Sequence, residues 1–238
     1  MSVTVWRIAL DRQLPQRLPL SPDEAEIAAR FRFPRHGDRY RVAHWGLREI
    51  LAAATGQPAD ALAFSRDDRG KPQFARGDGP AFNLSHAEDL ALVAVADRLP
   101  APGTPVATGR GVPHVSVGVD VDCQRAVPEM MAVANSHFAV EEREALRATP
   151  DDERLTTFYR IWTRKEAFVK ATGSGVGPAL ARFAVTAAAR DARILRADDY
   201  PEAASDWTLK HIALGAPYVG AVVVTAPQVS VELRDWVP

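Results

Sequence analysis

The chain has little of the features that would place it in a specialised class of protein. It holds one cysteine, Cys123, in 238 residues, which excludes an internal disulfide and is typical of a reducing compartment. No apolar run approaches the roughly 20 residues that a membrane-spanning helix needs. The formal net charge is only −1, so no excess of charge indicates a nucleic-acid or membrane partner. We therefore expect a soluble, cytoplasmic protein that binds neither.

The N-terminal segment also lacks the marks of a signal peptide. Its first ten residues carry no basic region ahead of apolar ones, so they predict a strand at residues 3–10. The composition, 47% hydrophobic and 25% charged, is that of an ordinary soluble globular protein. A chain of this length forms one large domain or two small ones.

The pattern of apolar residues predicts two halves that each combine strands with a substantial helix. In the first half, Ser21 followed by Pro22 marks a helix start, and a second helix over 38–55 is stopped by Gly56. Residues 99–114, rich in proline and glycine, predict an exposed loop between the halves. Other predicted elements are strands at 81–86, 90–96 and 115–121, helices near 127–138, 140–148 and 154–171, and strands near 182–187, 207–213, 218–225 and 229–233. We predict an α+β fold of two similar lobes, residues 1–114 and 115–238.

The segment 158–170 predicts a helix whose apolar side is interrupted by a lysine. Lys165 falls about 20° from Phe158 on a helical wheel, while Glu166 and Lys170 lie together at the edge of that side. One interpretation is a solvated Glu–Lys pair and a lysine that extends to water. The other is an edge bordering a cleft that holds a charged ligand, because a lysine among aromatic residues is costly to bury without an anion. The pattern alone leaves both open.

The segment 114–122 predicts a strand that places two acids on one face. Asp120 and Asp122 leave the strand on the same side, and Gly118 allows a close backbone approach. Two neighbouring carboxylates repel each other, and acidic oxygen ligands of this kind suit Mg²⁺ bound together with phosphates. The alternative is an ordinary strand end with two solvated acids. Cys123 is a poor candidate nucleophile, because nearby negative charge lowers the thiolate fraction.

Three weaker features lie upstream of the acids. Residues 70–72, Gly-Lys-Pro, predict a turn that presents Lys71. In the strand at 82–86, Asn83 and Ser85 share one face. Six arginines between positions 30 and 48 concentrate positive charge in an otherwise balanced chain. Each feature alone is common in proteins of any function.

Taken in order, these segments resemble a known family. GKP at 70–72, FNLSH at 82–86, VGVDVD at 117–122 and WTRKEAFVK at 162–170 resemble the signatures of the larger, monomeric, surfactin-type 4'-phosphopantetheinyl transferases. The resemblance extends from about residue 30 to about residue 183, and takes in RFRFPR at 30–35 and GVGPALARF at 175–183. It implies a fold of two pseudo-twofold lobes with the active site at their junction. It also implies transfer of the phosphopantetheine arm of coenzyme A to a serine of a carrier protein, with release of 3',5'-ADP.

The resemblance also implies roles for individual residues. Asp120, Asp122 and Glu166 match the family's magnesium ligands. Glu166, Lys170 and Asp120 are the expected catalytic residues, with Glu166 as general base and Lys170 at the leaving group. Glu142 matches a glutamate near the active centre. The expected coenzyme A contacts are Arg35, Arg39, Lys71, Ser85, His86 and Lys170.

The chain departs from the family pattern in three places. Asp122 stands where many members have Glu, which leaves open whether it binds the metal directly or through water. Ala139 replaces the usual Ser or Thr and removes a helix N-cap. The loop at 98–114 is longer than is common.

Two other functions stay open. The chain could be a coenzyme A-binding protein without transferase activity, or a metal-dependent phosphohydrolase built on the same acids. The sequence also leaves open whether the carrier belongs to fatty-acid, polyketide or non-ribosomal-peptide synthesis, and whether acyl-coenzyme A is accepted.

Overall fold

The computed structural model describes residues 1–77, 79–96, 115–174 and 178–238. The predicted loop at 99–114 and the glycines of the GVG segment at 175–177 lie outside the described residues. Within these ranges, no helix is both long enough and apolar enough to cross a membrane. The secondary structure is mixed α and β, as predicted.

The first half of the chain supplies two helices and five strands. Its elements are β1 (Ser2–Ala9), α1 (Pro22–Ala29), α2 (Pro34–Thr55), β2 (Phe64–Arg66), β3 (Pro72–Phe74), β4 (Phe82–Ala87) and β5 (Leu90–Ala96), with a 3₁₀ turn at Ala59–Ala61. The strand predicted at 90–96 is confirmed at both ends. The short strands β2 and β3 were not predicted, because three-residue strands are too brief to show alternation.

The second half supplies four helices and six strands among its described residues. Its elements are β6 (Val117–Cys123), α3 (Met130–His137), α4 (Val140–Ala148), α5 (Asp151–Thr172), β7 (Phe183–Val185), β8 (Ile194–Ala197), α6 (Ala203–Asp206), β9 (Thr208–Ile212), β10 (Tyr218–Val224) and β11 (Ser230–Asp235), with a 3₁₀ turn at Pro178–Arg182. The helix predicted at 140–148 is confirmed at both ends. The sequence did not indicate β8 or α6.

The start of α1 follows capping chemistry, and the predicted start of α2 is revised. At α1 the hydroxyl of Ser21 accepts a hydrogen bond from the Glu24 amide, and the Glu24 carboxylate accepts one from the Ser21 amide, a complete capping box. Helix α2 begins at Pro34 rather than at the predicted residue 38, because proline is well suited to a first helical turn. Gly56 ends α2 in the left-handed conformation, as predicted.

Four of the strands form one sheet and three form another. The first sheet has the order β11-β1-β5-β4, and the second has the order β6-β10-β9. Strand β11 pairs with β1 in parallel, so the last strand of the chain belongs to the sheet built mostly from the first half. The division into lobes 1–114 and 115–238 stays a prediction, and β11 crosses it.

The two sheets pack face to face, and a long helix covers the outer face of each. Valines of β6 and β10 meet Val5 and Leu92 of the first sheet in a shared core. On the outer faces, Val42 of α2 joins a core with β1 and β5, and Phe168 of α5 joins one with β10. Successive residues of each strand therefore contact opposite layers.

Helix α5 approaches strand β6 closely at Gly118. A Cβ atom at that position would lie 2.1 Å from the carbonyl oxygen of Ala167 and 2.3 Å from the amide nitrogen of Ala171, both in the backbone of α5. Only glycine allows this approach. Helix α5 therefore lies directly on β6, which carries the two predicted acids.

We expect Gly118→Ala to destabilise the protein by about 3 kcal/mol or more, because the added methyl group meets backbone that has no rotamer to change. Urea unfolding at fixed pH measures the loss. Gly77→Ala is the matched control: it stands at φ +68° with open space around its Cβ, so it should cost only about 1 kcal/mol of backbone strain. Equal losses in the two variants would contradict a special contact at Gly118.

Candidate active site

Strand β4 brings its polar face against the acidic strand β6. The side-chain oxygen of Asn83 accepts a hydrogen bond from the Val119 amide at 2.9 Å, and the Ser85 hydroxyl lies 3.4 Å from the Val121 amide. The opposite face of β4 packs into the core beneath α2. The alternation predicted for residues 82–86 is therefore confirmed, and it places Ser85 beside the acids of β6.

Three of the predicted site residues meet in one hydrogen-bonded triangle. The Lys170 ammonium lies 2.6 Å from Asp120 Oδ1 and 2.8 Å from Ser85 Oγ, and the Ser85 hydroxyl donates to the same Asp120 oxygen at 2.9 Å. They come from α5, β6 and β4, so the triangle joins the two sheets and the helix. Burial raises the pKa of Asp120, while the neighbouring Lys170 opposes that rise.

Glu166 lies one helical turn before Lys170 and is only 9% exposed. Its carboxylate accepts no hydrogen bond from any residue that the structure describes. Burial, and then the negative charge of Asp120, raise the pKa of Glu166; Asp122 adds to the rise. A raised pKa makes this carboxyl group easier to protonate than a solvated glutamate.

Asp122 is half-buried at the outer end of β6, and its Oδ1 accepts a hydrogen bond from the Cys123 amide at 2.7 Å. Burial raises the pKa of Asp122 as well. Three carboxyl groups whose pKa values all rise, two of them on one strand face, make a region where negative charge is poorly compensated.

The predicted magnesium ligands have the donor atoms that the metal prefers, but their carboxylates are not gathered around one point among the described residues. Among the described parts of the chain, no group of three or more His, Cys, Asp or Glu side chains stands ready to hold a metal ion. One oxygen of Asp120 is held by Lys170 and Ser85, and one oxygen of Asp122 by a backbone amide. The donors are carboxylate oxygens, the type that Mg²⁺ prefers.

A second group of predicted residues lies around the start of α2. Arg39 is buried and binds both oxygens of Asp11, at 2.9 and 3.2 Å, while the exposed Arg35 reaches the same acid at 3.5 Å. His86 is exposed on β4, next to Ser85. Loss of hydration around the ring, and then the charges of Lys170, His44 and Arg39, lower the pKa of His86. The charges of both Lys170 and Arg39 therefore act on the His86 ring.

Lys71 is set apart from the other predicted coenzyme A contacts. Its ammonium donates to Val117 O at 2.8 Å, to Ala171 O at 3.2 Å and to the hydroxyl of Ser116. Burial lowers the pKa of Lys71 to about 7. These acceptors lie at the start of β6 and the end of α5, on the far side of Gly118 from Asp122.

Lys165 does not extend to water, as one interpretation of the helical pattern had it. It is fully buried and pairs with the fully buried Glu142 at 2.8 Å. The same carboxylate accepts hydrogen bonds from the Val185 amide at 2.8 Å and the Ala139 amide at 2.7 Å. Glu142, expected near the active centre, is therefore enclosed where α4, α5 and β7 meet. The Ala139 amide thus has a side-chain acceptor, whereas Ala139 itself offers none to the amides of the first turn of α4.

Sequence reasoning missed the acids that hold the basic side of the site. Glu88, in the turn between β4 and β5, lies 3.5 Å from Arg39 and 3.3 Å from Arg125, and so links α2 to the segment after β6. Asp11 was missed as well. No motif marked either residue, although the turn position of Glu88 and its positive φ of 50° are unusual for a glutamate.

A separate cavity of about 450 Å³ opens beside the end of α5. Arg69, Phe168, Arg182 and Tyr200 are among its lining residues. None of the residues predicted to bind metal or coenzyme A lines it.

Comparison with known proteins gives consistent matches. Residues 116–223 match the model of the 4'-phosphopantetheinyl transferase superfamily. The chain is 35% identical over 182 residues to the 4'-phosphopantetheinyl transferase HetI of Nostoc sp., covering 73% of this chain and 70% of that protein. It is 28% identical to the 4'-phosphopantetheinyl transferase psf-1 of Bacillus pumilus, covering 79% of this chain and 73% of the relative. The transferase AcpT of Salmonella typhimurium is 29% identical over 56% of this chain and 60% of its own length.

We expect Glu166→Gln to stabilise the protein at pH 7.5, with a chelator present, by on the order of 1 kcal/mol. The folded state raises the pKa of Glu166, so it holds that proton more tightly than the unfolded state does. Its contribution to stability is thus greatest below the unfolded pKa and is lost as pH rises through the folded value. Urea unfolding between pH 5 and pH 8 should therefore show a smaller decline for the variant, with Glu144→Gln on the exposed side of α4 as control. If the free energy of unfolding of Glu166→Gln falls more steeply with pH than that of the wild-type protein, the pKa of Glu166 is not raised in the folded state.

Proposed function

The chain belongs to the 4'-phosphopantetheinyl transferase superfamily, and we infer that it transfers the phosphopantetheine arm of coenzyme A to a carrier protein. The observation that carries this function is the triangle of Lys170, Asp120 and Ser85 beside the Glu166 carboxylate, which accepts no hydrogen bond from the described residues. Transfer of a phosphoryl group depends mainly on positioning and on neutralising the negative charge of the phosphates, and the Lys170 ammonium and the two carboxylates are suited to that task.

We further propose that the chain is of the surfactin-type class, with pseudo-twofold lobes 1–114 and 115–238 and the active site at their junction. The four motifs in their order support this. So does the likeness of the two long helices: α2 and α5 each have 22 residues, each covers one sheet, and each is followed by a left-handed glycine. In this proposal, strand β11 belongs to the second lobe by sequence but pairs with β1 in the sheet of the first lobe.

In the proposed reaction, the serine hydroxyl of the carrier forms a bond to the phosphorus next to the pantetheine arm. The pyrophosphate bond breaks, and 3',5'-ADP leaves with the bonding electrons. Glu166 accepts the proton of the serine hydroxyl, directly or through a water molecule. Lys170 stabilises the negative charge that develops on the leaving phosphate.

Binding of coenzyme A falls to the basic side of the site. Arg35, Arg39 and His86 hold the phosphates of the nucleotide, and Ser85 and Lys170 contact the pyrophosphate. Interactions with this remote part of the substrate orient the reacting phosphorus. Arg39 is positioned for this role in advance by Asp11 and Glu88.

We propose Mg²⁺ as the cofactor, held by Asp120, Asp122 and Glu166. When bound, the ion neutralises charge on the pyrophosphate oxygens. The chemistry of the three carboxylates supports this assignment, and so does their rise in pKa, which a cation would reverse. Lys170, which now pairs with Asp120, would be the residue that pairs with the substrate phosphate.

The partners proposed for this chain are coenzyme A and the apo forms of acyl or peptidyl carrier proteins. We propose that the protein works as a cytoplasmic monomer, without nucleic acid or membrane. The class of carrier is the subject of the first experiment.

We expect the protein, incubated with coenzyme A and Mg²⁺, to add one phosphopantetheine arm to the serine of at least one apo carrier. Intact-mass spectrometry over a panel of fatty-acid, polyketide and non-ribosomal-peptide carriers measures the addition. Glu166→Gln should slow it by about 10²-fold or more, because proton transfer is lost. Binding of coenzyme A without any mass gain would favour a pure binding protein. Release of 3',5'-ADP in the absence of a carrier would favour a phosphohydrolase.

We expect Arg35→Ala and His86→Ala to raise KM for coenzyme A about tenfold while changing kcat little, because both residues act in binding. Steady-state kinetics on the carrier found in the panel measures both constants. Arg76→Ala, an exposed arginine after β3, is the control. An unchanged KM in either variant would remove that residue from the nucleotide site.

A further inference from the structure

The turn at residues 67–71 is bonded to the end of α5 through two cationic side chains. Arg69 donates to the carbonyl oxygen of Thr172 at 2.6 Å and to the hydroxyl of Tyr200 at 3.1 Å. Lys71 donates to the carbonyl oxygen of Ala171. The last four carbonyls of a helix have no partner within the helix and carry its partial negative charge. Cations at this end therefore both supply hydrogen bonds and interact favourably with that charge.

Lys71 also ties α5 to β6. Its other two hydrogen bonds go to the hydroxyl of Ser116 and to Val117 O, just before the acids of β6. Ser116 in turn donates to Ala171 O at 2.7 Å. One ammonium group therefore holds together the strand that carries Asp120 and the helix that carries Lys170.

The turn is built to present these two side chains. One carboxylate oxygen of Asp67 accepts hydrogen bonds from the amides of Arg69 at 3.0 Å and Lys71 at 2.8 Å. Gly70 lies between them at φ +82°, a conformation that favours glycine. This local network fixes the backbone from which both cations reach the second half of the chain.

The geometry of Lys71 leaves it nothing with which to bind a phosphate. An ammonium group has three N–H donors, and all three are used by protein oxygens. A phosphate contact would require it to abandon at least one of them. This separates Lys71 from Arg35 and His86, which are exposed.

We propose that Arg69 and Lys71 are positioning residues for the transfer reaction, and the proposal rests on the function inferred above. They fix the last turn of α5 on β6, so that the adjacent Lys170 stays within hydrogen-bond distance of Asp120 and Ser85. A shift of about 1 Å in a catalytic group lowers turnover strongly, even when the substrate still binds.

The test compares Lys71→Met and Arg69→Met with the exposed controls Lys210→Met and Arg76→Met. Three quantities are measured on each folded variant: kcat, the Kd for coenzyme A by calorimetry, and amide hydrogen exchange. We expect each positioning variant to lower kcat about tenfold or more with less than about threefold change in Kd. Exchange should quicken in residues 165–174 and stay unchanged in residues 48–56, the equivalent end of α2. The controls should match the wild-type protein.

Other results would overturn the proposal. A tenfold weaker Kd with unchanged kcat in Lys71→Met would make Lys71 a coenzyme A contact. A lower melting temperature with unchanged kcat and Kd would leave it a purely structural residue. If Lys71→Met fails to fold, Arg69→Met decides by the same criteria. If the wild-type protein transfers nothing, the inferred function fails, while unchanged exchange in residues 165–174 would still refute the positioning role separately.

Discussion

The direct contact of helix α5 on strand β6 is the constraint on which the rest of the site depends. Gly118 makes it possible, because any side chain there would meet the α5 backbone at Ala167 and Ala171. The contact places Glu166 and Lys170 along the strand that bears Asp120 and Asp122. A wider spacing of helix and sheet would put the ammonium of Lys170 beyond reach of Asp120, so backbone packing sets the chemistry of the site.

The buried charged groups near α5 differ in how well they are compensated. Glu142 and Lys165 are both fully buried, and each is satisfied by its partner and by backbone groups. Burial raises the pKa of both Glu142 and Glu166, but Glu166 accepts no hydrogen bond from a described residue. An uncompensated buried charge lowers the stability of the folded protein. Proteins keep such groups at positions where a substrate or metal completes the missing interactions. The difference in hydrogen bonding between Glu142 and Glu166 supports the role proposed for Glu166.

The sequence predicted most of the regular elements where periodicity was long. The alternation of residues 82–86 correctly placed Asn83 and Ser85 on one face, and the strand at 90–96 and the helix at 140–148 were found to the residue. It failed where elements were short, as in β2 and β3, and where partners were distant. Nothing local showed that β11 would pair with β1, since that pairing joins the two ends of the chain.

For the site, the sequence by itself determined which residue types are present and which of them share a strand or helix face. It also carried the family resemblance, through four motifs in order. Only the tertiary structure decided what each charged group contacts. Lys71, Lys165 and Lys170 look alike in the sequence, yet one binds the end of α5, one binds Glu142, and one binds Asp120 and Ser85. The reason is physical: periodicity fixes the direction of a side chain within its own element, whereas its partner comes from another element, brought near by packing.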